Sequence, residues 1–320
     1  MASKRLSDRE WVEKYKPFLQ NEEIINLTDL PNLPTTQLGA WSFIKLACIW
    51  SYARYTYTPI IGRKYYNMCY VDLFSGSGLM SFRDGSKGTH QLLGSPILMA
   101  TMKNEFPFRK CYFFEKEKHE ALSKRLEILK NNRYITTDDY TVFPSDCNQC
   151  IDDLIDELSK LEHAHFLLFV DPYSTEIQWS TMEKLLSLEY PAFDMFFNFQ
   201  PFGINRKSYR PETFPNFFGE DGYELYERYL TLRNEDHKLE KLKDYYVSKL
   251  REFDVVGHVD SIKISSGTCG YYYDLIYTTR ISDPKWAAGI THLANKVENI
   301  TGSVIQKIFD PTVITLDRWS

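Results

Sequence analysis

The chain has 320 residues, enough for one large α/β domain or two modest ones, with a core that needs no disulfide or metal staples. Its net charge of −5 at pH 7 argues against a protein that coats nucleic acid non-specifically, while leaving room for a local basic groove. The opening residues Met1-Ala2-Ser3-Lys4-Arg5 run into polar sequence and the longest apolar runs fall far short of a membrane span, so a cytoplasmic protein with reduced thiols and no membrane partner is expected.

The first 62 residues read as helical and peripheral, packed on the core through Trp41–Trp50, whose bulky apolar groups recur at helical spacing. Residues 63–320 form the main domain. Pro59 and Gly62 mark a linker into a first strand over Asn67–Phe74. Asp72 sits inside that apolar run, and Phe74-Ser75-Gly76-Ser77-Gly78 follows as a turn. Glycine at 76 and 78 permits positive φ and close approach of backbone to a ligand. The third glycine of a dinucleotide loop is absent, because position 81 is Ser81. Ser95 as N-cap and Pro96 at the first helical position start the next helix. A loop of about fifteen residues, Leu79–Leu93, therefore separates turn from helix, and loops that long are usually functional or mobile.

Further along, short strands are predicted at Cys111–Phe114, Thr141–Phe143, His165–Val170 and Phe193–Phe199. Helices at Lys116–Lys130, Asn148–Leu161 and Ser180–Leu188 separate them. This alternation indicates βαβ units and a parallel sheet buried on both faces. A charged, tyrosine-rich helical insertion spans about 205–254. Two late strands, Val255–Ser265 and Tyr271–Thr279, are expected to form an antiparallel edge, and a helical tail begins near Trp286. The expected fold is α/β: a Rossmann-like, doubly wound, mostly parallel sheet with an antiparallel edge strand, plus N-terminal and inserted helices.

Ligands of such sheets lie beyond the carboxyl ends of the strands. Four acidic features fall there: Asp72, Glu115, Asp146 and Asp171-Pro172-Tyr173. Each also has a plain structural reading, Asp146 as a helix cap, Glu115 as surface charge and Asp171-Pro172 as a strand terminator. The ordered set resembles the layout that binds S-adenosyl-L-methionine (SAM) in class I methyltransferases. In that layout Glu115 offers two acceptor oxygens to the ribose diol, and Asp146 with Cys147 meets the adenine. Asp72, Phe74, Ser75, Gly76 and Gly78 attend the methionine end. Asp171, Pro172 and Tyr173 are the candidate chemical residues, since oxygen acceptors orient an amine and a ring stacks on a planar base. This chain has one proline where the amine-methylating motif has two. Ser95, Asn198 and Arg206 are the expected acceptor contacts.

With those residues together, the chain resembles the three-Cys-motif partner protein family (TcmP), whose members look like class I SAM-dependent methyltransferases. The likeness rests on Tyr70–Gly78, Gly94-Ser-Pro-Ile97, Phe114-Glu-Lys116, Asp171-Pro-Tyr173 and Phe197-Asn-Phe199, with a late Tyr272–Arg280 strand and Trp286. It covers roughly residues 40–290. The family's first strand more often ends in D-L-F-A-G-P-G and its fourth in D-P-F-G, where this chain has Asp171-Pro-Tyr-Ser174. The resemblance implies SAM as cofactor and a partner bearing a three-cysteine motif.

The leading expectation is a SAM-dependent methyltransferase acting on nucleic acid or a nucleobase-like amine. The alternative is a catalytically silent SAM-fold partner of a three-cysteine-motif protein. An NAD-dependent oxidoreductase is disfavoured by the missing third glycine and by the position of Asp72. Cys147-x-x-Cys150 begins a helix, where the dipole lowers a thiol pKa, but the surrounding thioredoxin pattern is absent and a structural role is expected. No paired-histidine motif appears, so no catalytic metal is expected.

Overall fold

A strand covered on both faces needs apolar residues at nearly every position, and the runs ending at Asp72, Phe114, Val170 and Phe199 meet that requirement. The computed structural model describes residues 6–84, 88–231, 235–267, 270–282, 284–297 and 299–309. The chain enters through α1 (Asp8–Leu19), α2 (Glu22–Thr28), a short strand β1 (Thr36–Gln37) and α3 (Ser42–Tyr52), which continues through a π-helical turn into α4 (Thr58–Ile61). Next come β2 (Asn67–Asp72), β3 (Leu79–Asp84), β4 (Gly88–Leu93) and α5 (Ser95–Ala100). The alternation then runs β5 (Lys110–Phe114), α6 (His119–Asn131), β6 (Asp139–Phe143), α7 (Cys147–Ser159), β7 (Ala164–Val170), α8 (Trp179–Leu186), β8 (Ala192–Phe199). Helices α9 (Pro201–Lys207), α10 (Thr213–Phe218), α11 (Gly222–Thr231) and α12 (Glu235–Arg251) form the insertion. Strands β9 (His258–Ser265) and β10 (Tyr272–Thr279) and helices α13 (Pro284–Val297) and α14 (Gly302–Phe309) complete the described chain.

Seven strands make one sheet in the order β6-β5-β2-β7-β8-β10-β9. Numbered within the sheet by chain position, that order is 3-2-1-4-5-7-6. The first five pair in parallel, and β10 runs against both of its neighbours, leaving β9 outermost. The fold is thus Rossmann-like, doubly wound and mostly parallel, with the expected antiparallel strand near one edge.

Side chains alternate strictly between the two faces. Tyr70, Leu167, Phe169 and Phe196 point to one core, while Cys69, Val71, Phe166, Leu168 and Phe197 point to the other. Each such fully buried Leu or Phe contributes about 2 kcal/mol relative to exposure. The first core is closed by α1, α3, α5 and α6, the second by α7, α8, α10 and α12.

The N-terminal part is less peripheral than its composition predicts, because α3 is buried along its whole length. Tyr52 at its end donates to Asp194 Oδ2 at 2.6 Å and shares a 2.7 Å hydrogen bond with Tyr277. Burial pushes the Asp194 carboxyl up to about 7, against the opposing effect of hydrogen bonds from Thr279 and Tyr52. The expected loop at Leu79–Leu93 is instead an antiparallel hairpin, β3 with β4, and β1 adds to β3 as a third strand. Residues 85–87 lie outside the described residues. Asp84-Gly85 with the alternation around Phe82 was the overlooked hairpin signal.

Among the described residues, no helix is long and apolar enough to cross a membrane, and no group of three or more His, Cys, Asp or Glu is placed to hold a metal ion.

Candidate active site

The strand order reverses between β2 and β7, since their other neighbours β5 and β8 lie on opposite sides. Ligands of open α/β sheets lie in the crevice beyond this point. Both polar motifs of the sequence leave the sheet there, Asp72–Gly78 after β2 and Asp171–Tyr173 after β7.

The glycine turn has the backbone its sequence predicts, with φ of 63° at Gly76 and 85° at Gly78. The two glycines serve different ends. Gly76 lines a cavity, and a Cβ there would meet nothing closer than Thr36 Oγ1 at 3.5 Å. Gly78 is a packing glycine, whose added Cβ would lie 3.0 Å from Ile97 Cδ1 and 3.1 Å from Leu122 Cδ1. Its carbonyl accepts from the Gly94 N–H at 2.7 Å, tying the turn to the start of α5. Fully buried Arg125 donates to the Ser77 carbonyl at 2.6 Å and to Pro34 and Thr28 carbonyls, pinning the turn to the N-terminal segment.

Asp72 is fully buried behind this turn and is not among the residues that line the two cavities beside it. Its Oδ2 accepts from Ser95 Oγ at 2.6 Å and Tyr70 Oη at 3.2 Å, and its Oδ1 accepts from the Phe74 N–H. Burial pushes its carboxyl up to about 7, opposed by these hydrogen bonds. Asp72 therefore shapes the turn from beneath. Ser95, expected to cap α5 and to meet the acceptor, is instead the first residue of the helix, with Gly94 as cap. Its hydroxyl is spent on Asp72, and it is buried away from both cavities. Ser75 is likewise buried, donating to the Asp72 carbonyl at 3.1 Å.

The first cavity, about 230 Å³, is bounded by Phe74 and Gly76, by Glu115, by Asp146 and Cys147, and by Asp171 through Tyr173. Glu115 Oε1 accepts from the backbone N–H groups of Glu117 and Lys118 at 2.8 and 2.9 Å. Its Oε2 has no hydrogen-bond partner among the described residues. Asp146 does cap α7, accepting from the Asn148 N–H at 2.9 Å, and its Oδ2 lies 3.7 Å from Lys116 Nζ. Capping and cavity lining thus coexist at Asp146, while Glu115 lines the cavity and binds the backbone just before α6. At Cys147, burial pushes the thiol well above its ordinary range, with Asp146 adding to the rise and backbone N–H groups at the start of α7 opposing it. The Cys150 thiol is also pushed up and donates to the Asp146 carbonyl at 3.3 Å. Cys269 lies outside the described residues.

Asp171 is held on both oxygens. Oδ2 forms a 2.6 Å ion pair with Lys45 Nζ, and Oδ1 accepts from Asn198 Nδ2 at 2.6 Å. Gln200 Nε2 donates to the Pro172 carbonyl at 2.8 Å. Tyr173 is 66% exposed. A second cavity of about 490 Å³ lies beside the first, with Lys45 and Tyr173 on both walls. It is lined by Trp41, Asn198, Arg206, Tyr271 and Tyr273, among others. The structure therefore brings together Glu115, Asp146, Cys147, Phe74, Gly76 and the Asp171–Tyr173 turn around one cavity. It places Asn198 and Arg206 on the next, and leaves Asp72, Ser75, Gly78 and Ser95 behind the wall.

Sequence reasoning missed Lys45. Its signal was a single charged residue in the otherwise apolar stretch Trp41–Trp50, on a helix that proves to be wholly buried. A lysine there demands a partner.

No protein-family model matches the chain, and no curated protein matches it. Among solved structures, a Klebsiella pneumoniae protein described as a "putative O-methyltransferase" aligns with a TM-score of 0.39 and 10% identity, over 81% of this chain and 88% of that one. The fold assignment rests on the strand order itself: a Rossmann-like, doubly wound, mostly parallel sheet, with its polar cavities at the switch point.

Proposed function

We propose that the chain is a SAM-dependent methyltransferase, with SAM in the first cavity and a planar, nucleobase-like acceptor in the second. One observation carries this reading. Acids from the ends of three different strands, Glu115, Asp146 and Asp171, converge with Gly76 on a single cavity at the switch point. The residues fit the cofactor. Glu115 keeps one unpaired oxygen for a ribose diol, Gly76 leaves a cradle that a Cβ would fill, and the carboxylates suit a ligand bearing sulfonium and ammonium charges. When bound, SAM supplies an electrophilic methyl group. The chain's own work is orientation, with Tyr173 and Trp41 gripping a flat ring, and exclusion of water from the join between the cavities.

A second reading, a SAM-fold binding partner of a three-cysteine-motif protein without catalysis, draws on one observation. Both Asp171 oxygens are already engaged. Transfer of label from methyl-labelled SAM to nucleosides, RNA and DNA separates the two. Incorporation by wild type that falls at least tenfold in Asp171→Ala, with a melting profile showing the variant folded at the assay temperature, supports the enzyme. Equal incorporation by both removes Asp171 from the mechanism, and none by wild type favours the silent partner.

A further inference from the structure

The two cavities differ in charge. Five carboxylates, Glu115 and Asp171 among them, line the first against three lysines. The second carries Lys45 and Arg206 on its wall and no carboxylate. Lys45 belongs to both. Its side chain is 6% exposed, and one ammonium N–H goes to Asp171 at 2.6 Å. The other two N–H groups have no acceptor among the described residues. Buried donors left unpaired are costly, more so when charged. A ligand atom in the second cavity that accepts hydrogen bonds and carries negative charge supplies what is missing. The same wall offers aromatic rings: Trp41 and Tyr271 lie with centroids 5.5 Å apart, and Tyr273 is centred 5.7 Å from Lys45 Nζ.

We infer that the second cavity takes a planar acceptor whose nucleophilic atom binds as an anion, a phenol- or enol-type oxygen or a lactam ring nitrogen, with Lys45 as its counter-charge. This rests on the methyltransferase reading of the site and changes its chemistry. An exocyclic amine would have to share Asp171 with Lys45 and Asn198, which already hold one bond on each of its oxygens. Another acceptor on that wall is Asn198 Oδ1, which has no hydrogen-bond partner among the described residues. For an ionisable ring, the O–H or N–H bond breaks, the proton leaves to water, and the electron pair stays on the ring, available as nucleophile. The groups around the bound ring are Lys45 from α3, Arg206 from α9, Tyr173 after β7, and Tyr271 and Tyr273 at β10. Asp171 stands behind Lys45 and partly offsets it. Two cations against one screened carboxylate favour the anion.

The test uses 4-nitrophenol, whose phenolate absorbs in the visible, titrated against the full chain without SAM. Wild type is expected to lower the apparent pKa of the bound phenol by about 1 unit, a tenfold preference for phenolate. The double variant Lys45→Met with Asp171→Asn removes the pair as a unit, so no buried charge is left alone, and it should bind 4-nitrophenol with an unshifted pKa. Arg206→Met, at an exposed position, should reduce the shift in part while leaving the melting profile unchanged. An unshifted or raised pKa in wild type, no binding by wild type, or an undiminished shift in both variants overturns the inference. Calorimetry with SAM reads the cofactor assignment separately. A nitrophenol shift without SAM binding removes the transfer reading and leaves the anion site, whereas SAM binding without a shift removes the anionic acceptor alone.

Discussion

Lys45 and Asp171 stand 126 positions apart in the chain and 2.6 Å apart in the fold, where their ion pair separates the two cavities. Both side chains are mostly buried, at 6% and 12% exposure. Removing one partner of a buried pair strands the other charge, so Lys45→Met should lower stability by about 3 kcal/mol. Adding Asp171→Asn should restore most of that loss. Urea denaturation of the two variants checks this, and a double variant as unstable as the single one would show that the pair is not the source of the loss.

Gly76 and Gly78 should respond differently to alanine. Gly78→Ala forces a side chain to φ of 85° with close contacts to Ile97 and Leu122, and should cost about 2 kcal/mol of stability. Gly76→Ala meets no close neighbour and should cost only about 1 kcal/mol. Because its methyl group enters the first cavity, it should weaken SAM binding about tenfold, equivalent to about 1.4 kcal/mol. Denaturation and calorimetry on both variants check the pair, and the opposite ranking in either assay contradicts it.

Ser174 takes φ of 71°, a backbone that favours glycine, and its buried hydroxyl has no hydrogen-bond partner among the described residues. The turn after Asp171-Pro172-Tyr173 thus has a glycine-type backbone although its residue is serine. Ser174→Gly should raise stability by about 1 kcal/mol, measured as a higher denaturation midpoint with an unchanged slope. A lowered midpoint would mean that the hydroxyl is satisfied in solution.

Asp72 and Asp194 give stability a definite pH dependence. Burial raises both carboxyl groups to about 7, above the usual range near ~4. Between those values the folded protein holds protons that the unfolded chain has released, so stability falls as pH rises through the window and levels off above it. Asp194→Asn should therefore gain on wild type by roughly 3 kcal/mol as pH rises from about 4.5 to 7.5. The sign is fixed by the linkage. A difference that is constant with pH contradicts an ionising Asp194.

The sheet and the acids at its strand ends were readable because each follows a local apolar run. Glu115 after Phe114, Asp146 after a short strand and Asp171 after Val170 each needed only a few neighbouring residues to place. The rest needed pairing information that local pattern lacks. Lys45 has no meaning until Asp171 arrives from 126 positions away. Ser95 read as a cap because Ser-Pro starts helices, but a buried carboxylate at Asp72 competed for its hydroxyl and won. Asp72 itself read as a ligand contact because it ends a strand at the switch point. That it points beneath the turn depends on Tyr70 and Ser95, whose partnership no spacing rule shows.

The central claim is that SAM occupies the first cavity with Glu115 as a direct contact. Calorimetric titration of the purified chain with SAM, on wild type and Glu115→Ala, tests it most directly. Saturable binding by wild type and at least tenfold weaker binding by the variant are predicted, a loss of about 1.4 kcal/mol or more. No binding by wild type, or equal affinity in both, contradicts the account.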